Sequence, residues 1–205
     1  MTPNRIAYRH GGQIFKFTEA ISFVVNCQTP QDVDAYPFSP WSFTMSKSPQ
    51  PIPPGQEHII PHLVCDPCSA AIDFYKKAFG AEEISRMPAP DGRRIMHAAI
   101  RVGKSFVFLV DDFPEFCGGK SESPKGLKGS PVTLHHYVEN CDAAVKRAQD
   151  AGATVIMAPM DMFWGDRYGV VVDPFGHKWS FATHIKDMTP AEMQAAMKSA
   201  FAECA

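Results

Sequence analysis

Apolar and polar positions become regular from residue 56 onward. Residues 59–65 read as a strand. Residues 69–79 read as a helix, with Ala71, Phe74, Tyr75 and Ala78 at helical spacing and Gly80 in the C′ position. A strand over 81–87, a turn over 88–92 and two strands over 94–102 and 105–110, joined at Gly103-Lys104, complete a first unit. A loop over 111–130, rich in Gly, Ser and Lys, follows. Residues 131–183 then repeat the plan. Residues 71–81 correspond to 144–153, one residue shorter; each helix follows a strand, ends in Gly-Ala and leads into another strand. The class is therefore α+β, with two tandem β-α-β-β-β modules. Each is too small to stand alone, so their open sheets should pair around a cup, a default place for a ligand.

Residues 163–183 close the second module. The pattern predicts an aromatic and charged loop with glycine hinges over 163–169, a buried strand over 170–172, an Asp-Pro-Phe-Gly turn over 173–176 and a strand over 178–183. Trp164, Arg167 and Tyr168 stand at the mouth of this hairpin, either as an ordinary aromatic plug or as the rim of a small-molecule cup. Farther along, Thr189, Pro190 and Glu192 form a capping box that opens a helix over 189–204. Met193, Ala196, Met197 and Ala200 give that helix an apolar stripe, to be docked on the outside or on a partner.

The first part of the chain does not follow this plan. A strand-like run over 20–27 leads to a helix start at Thr29-Pro30, which Pro37 and Pro40 stop. Six prolines and several serines make residues 37–55 an extended linker. The expected organisation is a partial domain over 1–36, a linker over 37–56, a paired-module domain over 57–187 (modules about 57–112 and 131–187) and a C-terminal helix over 188–205.

Side-chain parity selects the residues facing the cup. Leu63 and Cys65 run directly into the first helix, so Ile60, His62 and Val64 should face the cup. In the matching strand, Leu134, His136 and Val138 face the helix, whereas Thr133, His135 and Tyr137 face the cup. Ala98, Ile100 and Val102 share one face, which leaves His97 on the other. The repeat thus places His62 and His135 at pseudo-symmetric sites. Histidines converging on a cavity suggest acid–base or metal chemistry, or satisfied polar groups in a pocket wall. His136 reads as a packed core histidine and His177, in the turn, as solvated.

Composition narrows the partners. Lys and Arg number 20 against 22 acidic residues, for a net charge of −2, which argues against a nucleic-acid footprint. No apolar run approaches a membrane span, and no apolar segment follows the first residues as a secretory leader would. The six scattered cysteines suggest reduced thiols and a cytoplasmic protein. Cys65-Asp66-Pro67-Cys68 has no second CxxC for a zinc knuckle and reads as a strand-to-helix turn carrying two thiols. Gly118-Gly119 lacks the strand-and-helix context of a phosphate cradle. No Ser-His-Asp or Cys-His arrangement follows from spacing.

The repeat, together with the motifs over 163–169 and 173–179, resembles the vicinal oxygen chelate superfamily, which includes glyoxalase I, bleomycin resistance proteins, fosfomycin resistance enzymes and extradiol dioxygenases. Pro61-His62-Leu63, residues 71–75, residues 78–82 and Met96-His97-Ala98 are similar to its PhnB-like branch. The resemblance covers about residues 57–190. It implies the glyoxalase/bleomycin resistance fold and a homodimer. It also implies metal positions, in catalytic members, that fall near Ile60, Phe108, Thr133 and Ser180, none a usual metal ligand. Gly11-Gly12 with residues 15–23 and 25–27 is similar to the middle of another PhnB-like domain, of the type labelled 3-demethylubiquinone methyltransferase-like; the module is missing after Tyr36, and no methyl-donor site accompanies it.

Two functions follow as expectations. The first is a small-molecule binding protein without cofactor, in which Trp164, Tyr168 and Phe108 stack on the ligand and Arg167 or one of His62, His97 and His135 fixes its charge. The second is a lyase, isomerase or dioxygenase whose divalent Zn, Ni, Mn or Fe is held by His62, His97 and His135. No catalytic residue is singled out.

Overall fold

β-branched and aromatic residues are concentrated where the chain forms strands, and the turns between them carry Gly, Pro or Asp. The computed structural model describes residues 51–202 together with residues 9–10 and 13–14. Residues 1–49 and 50–205 cluster as two separate units. In the first, β1 (Arg9–His10) pairs antiparallel with β2 (Gln13–Ile14). The expected strand over 20–27, the helix start at Thr29, the linker over 37–50 and the methyltransferase-like resemblance over 15–27 lie outside the described residues.

The second unit holds β3 (His62–Cys65), α1 (Cys68–Phe79), β4 (Glu82–Pro88), β5 (Ile95–Val102) and β6 (Ser105–Asp111). After a connection containing a 3-10 turn (Pro114–Phe116) and the short α2 (Pro124–Leu127) come β7 (Thr133–Tyr137), α3 (Cys141–Asp150), β8 (Thr154–Asp161), β9 (Asp166–Val172), β10 (Lys178–His184) and α4 (Pro190–Ala202). Two four-stranded mixed sheets result, in the orders β3-β6-β5-β4 and β7-β10-β9-β8. In each, the first strand of the module pairs parallel with the last and the remaining pairs are antiparallel. This is the α+β tandem-module plan that the repeat predicts.

The helix-facing sides of both sheets share one core. Leu63, Cys65, Ala98, Ile100, Leu109, Val171, Trp179 and Phe181 are buried in it with α1 and α3. Aromatic rings of α1 cross the module boundary: Phe79 meets Trp179 at 4.5 Å and Phe181 at 5.5 Å, and Tyr75 meets Trp179 at 5.6 Å. Each such ring removes roughly 150–250 Å² from water, a gross gain on the order of 4–6 kcal/mol. Asp173 holds the junction. Its carboxylate accepts Tyr75 Oη at 2.7 Å, Trp179 Nε1 at 3.1 Å and the backbone N–H groups of Phe175 and His177, each at 2.9 Å.

Three expectations change. The loop and hinges expected over 163–169 are largely strand, because β9 begins at Asp166. Gly169 is not a hinge: a Cβ there would stand 3.0 Å from Val145 Cγ2, so the glycine lets α3 approach the sheet. His177 is buried, 7% exposed, with Nε2 3.1 Å from the Val64 carbonyl, so it is not a solvated turn residue. The alternation of β3 extends outward only to His62, and Ile59 is 99% exposed. The capping box of α4 forms as expected: Thr189 N–H donates to Glu192 Oε2 at 2.8 Å and Glu192 N–H to Thr189 Oγ1 at 3.3 Å. No residue of α4 is buried; its nearest aromatic neighbour is Phe163, 6.5 Å from Phe201.

Candidate functional site

The sheet faces turned away from the shared core carry the candidate residues. Strand register assigns them. On the first sheet His62 pairs with Phe108, and Phe108 with Ala99, two residues along from His97, so His62, His97 and Phe108 share the open face. Their rings touch: His97 and Phe108 at 4.8 Å, His62 and His97 at 5.7 Å, His62 and Phe108 at 6.0 Å, all edge-on. Burial among these rings, then the neighbouring His97, pushes the His62 imidazole below its ordinary range.

The second sheet repeats this placement with more wiring. Ser180 pairs with His135, and Ala182 with both Tyr137 and Tyr168, which puts these side chains on the open face. His135 Nδ1 is 2.8 Å from Ser180 Oγ. The His135 ring stacks on Tyr168 at 6.0 Å and 19° and meets Tyr137 edge-on at 4.7 Å. Trp164 meets Tyr168 at 5.7 Å.

Asp166, at the start of β9, anchors this group. It is 5% exposed, and accepts Tyr137 Oη at 3.0 Å and Trp164 Nε1 at 3.1 Å; its other oxygen is 2.8 Å from His184 Nδ1. Burial works against its charge, yet the bonds from His184 and Tyr137 hold its carboxyl below the usual carboxylate range. His184 is pushed up by Asp187 and then by Asp166. Gly165 clamps the chain that leaves β10: its carbonyl accepts the N–H groups of Ile185 and Lys186, each at 3.0 Å. With φ at +95°, and a Cβ only 2.3 Å from the Lys186 carbonyl oxygen, that position admits glycine alone.

Arg167 lies on the opposite face from Tyr168. It pairs with Thr183, whose Oγ1 accepts the Cys141 N–H at the start of α3. Its guanidinium binds Asp142 of α3 and, at 2.9 Å, Asp161 of β8, which raises its pKa. Arg167 therefore ties β9 to Asp161, its cross-strand partner on β8, and to Asp142 at the start of α3, on the helix side of the sheet.

Parity and repeat reasoning reached His62, His97, His135 and Tyr137. It missed Asp166, Ser180 and His184 as a group, because an Asp two residues from Tyr168 carries no sequence mark of burial. His136 points to the helix side as expected, 6.2 Å from Phe181, and its buried Nδ1 has no partner among the described residues.

β3 and β7 are the edge strands of the two sheets, and residues at both, among them His62, Leu63, Val132 and Leu134, line a common seam. A cavity of about 270 Å³ opens there, lined by Pro61, Phe106, Leu134, His135, His136 and Trp179 among others. Among the described residues, no three His, Cys, Asp or Glu side chains come together as a metal cluster. The positions that the family resemblance assigns to a metal do not fit one: Ile60 and Phe108 bring no donor atom, and Ser180 is bonded to His135. Burial raises both thiols of the CxxC, that of Cys68 to about 12, so neither is a reactive thiolate.

This topology defines a paired β-α-β-β-β domain, and comparison with known proteins identifies its family. The chain belongs to the Glyoxalase/Bleomycin resistance protein/Dioxygenase superfamily, whose pattern matches residues 55–181. It is 53% identical over 139 residues to the uncharacterized protein Rv0887c of Mycobacterium tuberculosis, which covers 68% of this chain and 81% of that protein. The crystal structure of the At5g48480 gene product of Arabidopsis thaliana aligns with a TM-score of 0.50 at 28% identity, over 61% of this chain and 97% of that one. A glyoxalase-related enzyme from Fulvimarina pelagi aligns at 0.50 and 20% identity, over 62% and 88%, a likeness of fold. No helix among the described residues is long and apolar enough to cross a membrane.

Proposed function

We propose that this protein binds a small planar molecule, partly aromatic or anionic, on the open faces of its paired sheets, without a resident metal. One observation carries the reading: two clusters of aromatic and imidazole rings occupy matching places on the two sheets, and the second is fixed by buried Asp166 and Ser180. Trp164, Tyr168 and Phe108 supply stacking surfaces, and His62, His97 and His135 supply hydrogen-bonding groups. Arg167, tied to Asp142 and Asp161, contributes by bracing β9 rather than by meeting the ligand.

The family resemblance favours the PhnB-like branch and a homodimer. Exposed Met87, Tyr137, Ile156 and Met160, with the uncovered stripe Met193, Met197 and Phe201, support a second copy as the partner. The N-terminal residues are read as a fragment of a second domain of the same branch.

Calorimetric titration with 4-nitrophenol, alongside metal analysis of the purified protein, tests the reading. Saturable binding by metal-free protein, weakened at least tenfold by Tyr168→Ala, is expected. Absence of binding overturns it. Stoichiometric Zn, Ni, Mn or Fe that is lost on His62→Ala or His135→Ala overturns it in favour of a metal-dependent lyase, isomerase or dioxygenase.

A further inference from the structure

His136 and the seam cavity have no part in the open-face reading. The register of β7 sets His136 opposite Phe181, on the helix side of its sheet. Its Nδ1 is enclosed by protein, and its ring forms no hydrogen bond to a described residue. A Cβ on Gly103 would stand 3.7 Å from its Nε2, so that end of the ring lies at the hairpin between β5 and β6. Val102 and Ser105 of the same hairpin line the seam cavity together with His136, which puts Nε2 where hairpin and cavity meet. Burial, then His135 and Arg147, pushes this imidazole below its ordinary range and keeps it neutral. An enclosed acceptor without a partner costs less than an enclosed N–H without one, so the favoured tautomer carries its proton on Nε2.

We infer that the seam cavity is a second small-molecule site, separate from the open faces, for an uncharged single-ring molecule that brings a carbonyl or hydroxyl oxygen to His136 Nε2–H. The composition of the wall sets this class. Among the described residues it holds no Asp, Glu, Lys or Arg, so an ionised ligand would lose its hydration without gaining a counter-charge. Val102, Val107 and Trp179 back it from the shared core, and Phe106 adds a further ring, which gives the apolar part of a ligand its contact. Trp179 Nε1 is already spent on Asp173, at 3.1 Å. The polar groups left to orient a ligand are His136 and the hydroxyls of Ser105 and Thr133. A volume of about 270 Å³ falls just under that of sites for drug-sized ligands and suits one ring with a short substituent. Of the open-face clusters, His135 is the one described member in this wall, so the two sites are neighbours with separate linings.

The test titrates the full chain at pH 8 with benzamide, which is uncharged and carries a carbonyl acceptor, and with benzoate, its anionic counterpart of similar shape. Benzamide should bind saturably, and benzoate at least tenfold more weakly. Carbon-13 spectra should show benzamide shifting the rings of Phe106, His136 and Trp179 and sparing those of Trp164 and Tyr168. His136→Phe keeps the ring and removes both nitrogens. It should weaken benzamide at least tenfold while raising the urea midpoint, because the enclosed Nδ1 without a partner is gone. Ser105→Tyr, at the exposed end of the hairpin, should block the cavity and abolish binding. Absence of benzamide binding overturns the inference and leaves the open-face reading to its own titration. Shifts confined to Trp164 and Tyr168, benzoate binding as tight as benzamide, or full affinity in His136→Phe each overturn it. A lower urea midpoint for His136→Phe also overturns it, since Nδ1 would then have had a partner.

Discussion

The two sheets carry rings at matching places and hold them differently. On the first, His62, His97 and Phe108 lean on one another edge-on, and neither histidine ring hydrogen-bonds to a described residue. On the second, Tyr137, Trp164 and His184 converge on buried Asp166, and His135 on buried Ser180. One face is packed, the other is wired. A packed face adjusts by sliding rings past each other; a wired face presents fixed groups at fixed angles, the property that chemistry requires. The two sheets place imidazoles at equivalent positions, His62 and His135, but the residue paired with each differs: Phe108 on the first sheet and Ser180 on the second.

The largest blow to the wired face should come from Gly165→Ala. The added Cβ meets the Lys186 carbonyl at 2.3 Å in a left-handed backbone, so a loss of about 2–4 kcal/mol is expected in urea denaturation, together with release of the connector to α4. A loss below about 1 kcal/mol would mean the clamp is loose. Asp166→Asn comes next. It removes a charged acceptor from Tyr137, Trp164 and His184, at a cost of about 2 kcal/mol, and should shift Trp164 emission. Ser180→Ala should cost about 1 kcal/mol and act mainly on the His135 tautomer. On the packed face, His97→Phe breaks no hydrogen bond to a described residue and should stay within about 1 kcal/mol of the unaltered protein. An effect there as large as that of Asp166→Asn would erase the contrast.

The same contrast sets opposite pH responses. His184 is pushed above its unfolded value, so its contribution to stability is full below the unfolded imidazole range and fades as pH rises through the folded value. His62 is pushed below its unfolded value, so stability is lost as pH falls from the unfolded value toward the folded one. Denaturation midpoints across the imidazole range should therefore move in opposite directions for His184→Asn and His62→Gln, each relative to the unaltered protein. Shifts of the same sign would contradict the assignment.

Most of the fold could be read from residue pattern because the repeat doubled the signal. Gly80 and Gly152, the capping box at Thr189 and the apolar helix positions are local features, and local features survive in one dimension. The open-face parity of His62, His97 and His135 followed from period-two alternation alone. The site was less legible, because its anchors are acidic and hydroxyl residues whose burial depends on distant partners. Asp166 meets Tyr137 from β7 and His184 from the end of β10, and neither contact has a spacing rule. Arg167 was expected at the rim, and it took register to show it bracing α3. His177 looked solvated because it follows a Pro-Phe-Gly turn; the free Val64 carbonyl at the edge of β3 draws it inward. The strand over 166–169 was masked by its glycine, which is there for α3 to approach.

Under the proposed function, the open sheet faces of this superfamily member bind a small planar molecule through the wired side. Titration of 4-nitrophenol into the protein, followed by carbon-13 spectra of its aromatic and imidazole rings, tests it directly. Saturable shifts are expected at His135, Tyr137, Trp164 and Tyr168, smaller ones at His62, His97 and Phe108, and none at the core ring Phe181. Shifts that do not saturate, or that spare the His135 and Tyr168 stack, would contradict it.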